Sequence, residues 1–253
     1  MIDAPPQLSA PIVLVPGMGG VIPFAPKPRV PREYFPGVKD ALEAVGNRVL
    51  VAHMSATAGV ATRAAELKAF IQTHANNEPV HLIGHSLGGL DARYMISQLG
   101  MAAQVISLAT IGTPHRGTPF ADWMVSRFSR IWQPIYRAFG VSDEAFFDLR
   151  LDACRRFNET VLDAPGVRYV SVAGQCSRPW LGFEWRLPAR IVGKIEGPND
   201  GVVSVASATW GERTEVWGGD HLNLVNWPNR HMQKAGAWQD RVNDYGRLLR
   251  WLE

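Results

Sequence analysis

His81-Leu82-Ile83-Gly84-His85-Ser86-Leu87-Gly88-Gly89-Leu90 is the stretch on which the reading of this chain turns. Val80 to Ile83 is a short apolar run of buried-strand composition, and after it Leu90, Tyr94 and Met95 recur at helical spacing through Leu87 to Leu99. Between them Gly84-His85-Ser86-Leu87-Gly88 matches G-x-S-x-G. With 24 glycines in 253 residues, that pattern alone is weak evidence. Its context gives it weight, because a strand, a tight turn and a helix in succession are what a nucleophile elbow requires. Small residues on either side let a strained turn form, and the turn lifts the Ser86 hydroxyl into the open at a helix N-terminus. The plain alternative is a Gly/Ser turn joining a strand to a helix.

Working outward, further runs rich in β-branched residues stand at Pro11 to Val15, Arg48 to Ala52, Val105 to Ile111 and Val167 to Ala173, with a weaker one at Glu215 to Trp217. Gly59 to Ala75 predicts an amphipathic helix, with Val60, Ala64, Leu67 and Ile71 on one face and Arg63, Glu66 and Lys68 on the others. A last helix is expected over Ala237 to Leu252. Strands apolar on both faces, alternating with helices, predict an α/β fold whose mostly parallel sheet is covered on both sides. Sites in such sheets lie at the carboxyl ends of the strands. Pro23 to Pro36 holds five prolines and reads as a loop or cap over that edge. Arg116 to Arg150, rich in aromatics, reads as a helical insertion. No repeat or linker divides the chain, so one domain over 1–253 with a cap or lid at 116–150 is expected.

Composition narrows the function. Hydrophobic residues make up 46% of the chain and charged residues 19%, enough for one large core, and 26 basic against 23 acidic residues leave a net charge of only +3. The basic residues are scattered, which argues against nucleic acid as a partner. Cys154 and Cys176 make neither a disulfide framework nor a zinc site and read as core thiols. No apolar run reaches the length of a membrane helix, and Met1 to Pro11 lacks the pattern of a signal peptide, so a cytoplasmic location is expected.

A serine hydroxyl is a weak nucleophile and needs an imidazole base oriented by a carboxylate, in the chain order Ser, Asp or Glu, His for this kind of elbow. Of the seven histidines, only His221 and His231 follow every strand. His221, in Gly218-Gly219-Asp220-His221 just after the last strand signal, is the candidate base; His231 lies farther into a loop. Pro198-Asn199-Asp200-Gly201 is a turn that presents one carboxylate, making Asp200 the candidate acid. Asp220, adjacent to His221, would reach the imidazole only with strain. Oxyanion donors are expected from the backbone N–H of Leu87 and, in Pro16-Gly17-Met18-Gly19-Gly20 after the first strand, from Met18.

With these pieces placed, the chain resembles the α/β-hydrolase lipases, in the branch of neutral triacylglycerol lipases that carries Gly84-His85-Ser86-Leu87-Gly88-Gly89-Leu90-Asp91-Ala92-Arg93-Tyr94 as its elbow. Ile12 to Gly20, Ile111 to Trp123, Asn199 to Val205, Asp220-His221-Leu222 and Asn226-Trp227 agree with it. The resemblance implies the α/β-hydrolase fold, a Ser86, Asp200 and His221 triad, and an oxyanion hole of Met18 and Leu87. Two departures stand out. The family's first loop often reads His-Gly where this chain has Pro16-Gly17. Related secreted lipases also place a calcium-binding aspartate two residues after the catalytic histidine, where this chain has Asn223, so no metal is expected. The expected activity is lipase or carboxylesterase hydrolysis of acyl esters, including triacylglycerols, with no cofactor. The alternatives are an acyltransferase on the same triad and a non-catalytic lipid- or protein-binding relative. Within the insertion, Trp132 and Ile135 are candidates for the acyl pocket, and Arg127, Arg130 and Arg137 for transient contact with a lipid surface.

Overall fold

The structure, a computed structural model, describes residues 5–19, 33–127, 144–177, 183–228, 230–236 and 238–252. Its strands are β1 (Ile12–Val15), β2 (Val49–Val51), β3 (Val80–His85), β4 (Val105–Ile111), β5 (Arg168–Gln175) and β6 (Arg213–Gly218). They form one sheet in the order β2-β1-β3-β4-β5-β6, with every pairing parallel. The chain steps outward from β1 to β2, then returns past β1 to continue in the other direction from β3. The winding therefore reverses between β1 and β3, and in sheets of this kind a ligand crevice lies outside the carboxyl ends of the strands at such a reversal. Val15 pairs with Gly84 there, so the loop after β1 and the turn after β3 leave the sheet side by side.

Both faces of the sheet are apolar, with alternate residues serving different layers. Ile12, Leu14, Ile83 and Val172 point to a core shared with α1 (Val38–Ala44) and α10 (Val242–Leu249). Val13, Val15, Leu82 and Leu108 point to a second core with α2 (Val60–His74) and α3 (Leu87–Gln98). The α2 and α3 helices pack on each other over that face. Truncating a fully buried leucine here, such as Leu82→Ala, should cost about 2–5 kcal/mol.

Within the expected insertion the structure places a helix over 119–127 (α4) and a short helix α5 (Glu144–Asp148), followed by α6 (Leu151–Thr160). Residues 128–143 lie outside the described part, and Trp132 and Ile135 with them. So does most of the proline-rich stretch, at 20–32. The described ends of the insertion sit against the elbow, where Ala121, Ala145 and Leu149 pack with Leu87, Leu90 and Val60. Glu144 and Asp148 also accept the N–H groups of Gly59 and Val60, satisfying donors at the start of α2.

Several expectations need correction. The final helix begins at Val242 rather than Ala237, where Asp240 Oδ1 accepts the Val242 N–H. Sequence periodicity predicts no element over 183–195, yet α7 (Phe183–Ile195) forms there with Pro188 inside it; α8 (Val205–Ala208) and α9 (Arg230–Lys234) complete the described α-helices. Cys154 is a core thiol, whereas Cys176 is only half-buried. Arg63, expected on the polar side of α2, is 1% exposed. Its guanidinium is kept in the interior by an ion pair to Asp91 on α3, with Nε to Oδ2 at 2.8 Å.

Candidate active site

Ser86 caps the N-terminus of α3 with φ 54° and ψ −126°, a strained conformation for a non-glycine residue. Its N–H donates to the Ile111 carbonyl at 2.9 Å, which pins the turn to the end of β4. The turn is tight because its glycines leave no room for side chains. A Cβ at Gly88 would lie 2.6 Å from the Val15 carbonyl oxygen, and one at Gly84 would lie 2.9 Å from the Gly89 backbone. Ser86 is half-buried, with fully enclosed neighbours on both sides.

Asp200 and His221 are joined twice. His221 Nδ1 lies 2.6 Å from Asp200 Oδ2, and the His221 N–H donates to the Asp200 carbonyl at 2.8 Å. The other carboxylate oxygen accepts the Val202 and Val203 N–H groups at 3.0 and 2.8 Å, so the acid is fully enclosed yet well satisfied. With Nδ1 facing a carboxylate it carries the hydrogen, and Nε2 keeps its lone pair. Asp220 does something else: its Oδ1 accepts the N–H groups of Leu222 and Asn223, shaping the turn that follows His221.

The pair and the serine meet at one turn. A Cβ at Gly112, whose φ is 56°, would lie 3.2 Å from Asp200 Oδ2 and 3.3 Å from His221 Cε1, and Gly112 directly follows the residue that holds the Ser86 N–H. The described hydrogen bonds include none between the Ser86 hydroxyl and His221 Nε2. The imidazole is packed between the rings of His85, 4.6 Å away, and Trp185 of α7, 6.3 Å away.

The loop after β1 touches the turn from the other side, since a Cβ at Gly17 would lie 2.8 Å from that of Ser86. Arg63 grips this loop, donating from Nη2 to the carbonyls of Pro16 at 2.7 Å and Gly17 at 3.2 Å, while Nη1 donates to the Ser55 carbonyl. Gly19 N–H is held by the Ala56 carbonyl at 3.1 Å and Gly17 N–H by the Tyr34 hydroxyl at 2.9 Å. Among the described hydrogen bonds, none uses the N–H of Met18 or of Leu87, the first residue of α3. Burial raises the Asp91 carboxyl to about 7 against the opposing pull of Arg63. Burial also holds His85 well below the ordinary imidazole range, with the nearby His221 acting in the same direction.

Arg63, Asp91 and Tyr34 were not among the residues picked out from sequence. Arg63 lies three residues after Val60 and four before Leu67, so it falls on the apolar stripe of α2. Asp91 sits between Leu87 and Met95 at the same spacing on α3. A charge on each of two apolar stripes was the available signal. Tyr34 gave none.

The calcium position can be tested on its donors. The Asn223 amide oxygen is taken by the guanidinium of Arg241, at 3.4 Å from Nε and 3.2 Å from Nη2, and the same guanidinium donates to the Gly218 carbonyl and to Asp244. A side-chain cation already occupies the place beside the His221 loop, so these residues do not fit a divalent metal. Among the described residues no cluster of three or more His, Cys, Asp or Glu could hold one elsewhere. No described helix is long and apolar enough to cross a membrane.

The family described as PGAP1-like alpha/beta domain matches residues 53–207, more than half of the chain. The chain is 31% identical over 215 residues to "Triacylglycerol lipase 2" of Saccharomyces cerevisiae, covering 78% of this chain and 64% of that protein. It is 36% identical over 121 residues to a "Triacylglycerol lipase" of Pseudarthrobacter phenanthrenivorans, covering 45% and 36% respectively. The chain thus spans less than two thirds of the length of these relatives. Among solved structures, the lipase of Staphylococcus hyicus aligns over 99% of this chain and 98% of that chain with a TM-score of 0.71 at 18% identity, which shows a shared α/β-hydrolase fold.

Proposed function

The chain belongs to the family of PGAP1-like alpha/beta domains, and on that premise we propose that it is a serine ester hydrolase of lipase or carboxylesterase type, acting on acyl esters such as triacylglycerols. The observation that carries this reading is the 2.6 Å bond between Asp200 and His221 at the turn that also secures the strained Ser86. Its relatives in yeast and bacteria, named as triacylglycerol lipases, support the substrate class.

In the proposed reaction His221 Nε2 takes the proton of the Ser86 hydroxyl as its oxygen attacks the ester carbonyl. Asp200 holds the imidazole in the tautomer that can do this and stabilises the imidazolium that forms. The N–H groups of Met18 and Leu87 receive the oxyanion. The imidazolium then protonates the departing alcohol, leaving an acyl-Ser86 ester. A water molecule, deprotonated by the same imidazole, releases the carboxylic acid and restores the serine. The acyl pocket in this proposal is lined by Trp132 and Ile135, and the insertion's arginines meet the lipid surface, both on sequence grounds. Replacing those two residues by serine should then lower activity on palmitate more than on acetate.

A panel of p-nitrophenyl esters from acetate to palmitate tests the reading. Turnover by the wild-type chain that disappears in Ser86→Ala supports it. Equal turnover by both proteins overturns it.

A further inference from the structure

His85 immediately precedes the elbow serine, is buried, and faces two loops at once. Its Nε2 lies 3.0 Å from the His221 carbonyl oxygen, and its Nδ1 lies 2.8 Å from the Tyr34 hydroxyl. The same hydroxyl accepts the Gly17 N–H at 2.9 Å. The hydrogens in this chain have one consistent arrangement. A carbonyl only accepts, so His85 Nε2 carries the ring hydrogen and Nδ1 presents a lone pair. The Gly17 N–H only donates, so the Tyr34 oxygen accepts it and gives its own hydrogen to Nδ1. Gly17 precedes Met18, and the His221 carbonyl belongs to the residue whose ring faces Asp200.

Accepting the hydrolase reading above, we propose that Tyr34 is a positioning residue, which through His85 ties the loop of the oxyanion donor to the loop of the base on either side of Ser86. Its ring is well fixed for that task. The Trp227 indole N–H donates to the Tyr34 carbonyl at 2.8 Å, and the ring packs at 5.0 Å from Phe35 and 6.1 Å from Trp227. Burial favours the neutral form of His85, which is the form that keeps a lone pair on Nδ1 for the Tyr34 hydroxyl. Protonation would place a hydrogen on Nδ1 and reverse the Tyr34–His85 link alone, since the Gly17 N–H can only donate and the His221 carbonyl can only accept.

Tyr34→Phe removes the hydroxyl and leaves every ring contact. A misplaced oxyanion donor is felt in the transition state more than in ester binding. Removing such a donor outright costs about 10²–10³ in kcat, so loosening one should cost roughly 10-fold to 100-fold, with KM within about twofold. A trifluoromethyl ketone, which forms the oxyanion on Ser86, should lose affinity by the same factor. Independently of catalysis, backbone amides over residues 17–19 and 218–224 should exchange faster with solvent in Tyr34→Phe, while those of β4 do not change. Unchanged exchange in both loops overturns the proposal, as does a kcat within twofold of wild type. A rise in KM alone also overturns it, since Tyr34 would then be a substrate contact. If the wild-type chain hydrolyses no ester, it is the hydrolase reading that falls, and the exchange measurement still decides the tether.

Discussion

Replacing Arg63 by methionine should separate what the buried ion pair does for stability from what it does for the site. In wild type the guanidinium lies 1% exposed, 2.8 Å from Asp91 Oδ2, and also holds the carbonyls of Ser55, Pro16 and Gly17. Methionine fills most of the volume but leaves a fully enclosed carboxylate without a partner, a defect that costs about 3–5 kcal/mol. For a chain of this size each kcal/mol is worth about 2–4 °C, so the melting temperature should fall by roughly 6–20 °C. The loss depends on pH. In wild type burial pushes the Asp91 carboxyl up to about 7, with Arg63 pulling the other way. Without Arg63 it titrates higher and goes on losing native stability as pH rises past 7, so the gap should widen between pH 7 and 9. Adding Asp91→Leu should recover much of the melting temperature, because an apolar pair substitutes for a buried ion pair at little net cost. It should not recover activity, because the Pro16 and Gly17 carbonyls stay unheld and the Met18 N–H stays loose. Scanning calorimetry with ester turnover on the single and double variants reads all of this. The reasoning is refuted if Arg63→Met melts within a degree or two of wild type, or if the double variant regains activity together with stability.

Three other outcomes follow from the same geometry. Asp200→Asn should lower turnover by about 10⁴ by stabilising the wrong tautomer of His221, whereas Asp220→Asn keeps an oxygen for the Leu222 and Asn223 N–H groups and should lose less than about tenfold; kinetics on purified variants showing the reverse order would reassign the acid. Chelation with EDTA should leave activity and melting temperature unchanged, because Arg241 already bridges Gly218 and Asn223; a loss restored by calcium would contradict this. His85 and His115 are both held well below the ordinary range, burial being the main cause. The unfolded chain therefore binds the extra protons, and stability should fall as pH drops below about 6.5, by about 1.4 kcal/mol per pH unit for each imidazole. Asp91, raised to about 7, acts in the opposite direction over the same range, so the imidazole contribution is read as the difference in slope between wild type and His115→Gln from pH 7.5 to 5.5; equal slopes would contradict it.

What could be read from sequence was whatever local chemistry determines. The elbow is local, since strand, glycine-bounded turn and helix are consecutive, and the structure puts β3, Ser86 and α3 within a residue or two of the expected bounds. The β4 run was legible over its full length because Val105, Leu108, Ala109 and Ile111 are buried apolar residues along it, although Ser107 and Thr110 are buried among them. Asp200 and His221 were legible as turn residues after late strands, yet their meeting depends on two loops separated by β6. The residues that escaped act at long range. Arg63 reaches Asp91 and the β1 loop across two helices, and Arg241 reaches back over 18 residues to Asn223. Tyr34 touches His85 from 51 residues away. Helical periodicity assigns such side chains to a face, and it took the charge on Arg63 as a sign of solvent where a buried partner was waiting. The α7 helix was missed for another reason, because Pro188 interrupts the pattern that would have announced it.

In the proposed reaction Ser86 is a nucleophile activated by His221 and Asp200. Intact-mass and peptide spectrometry after incubation with a fluorophosphonate tests it most directly, because that reagent phosphonylates only a serine whose oxygen is made nucleophilic by its neighbours. One adduct per chain is expected, located on Ser86, formed far more slowly in His221→Ala and absent in Ser86→Ala. An unmodified wild-type chain, or an adduct on another residue that persists in Ser86→Ala, would contradict it.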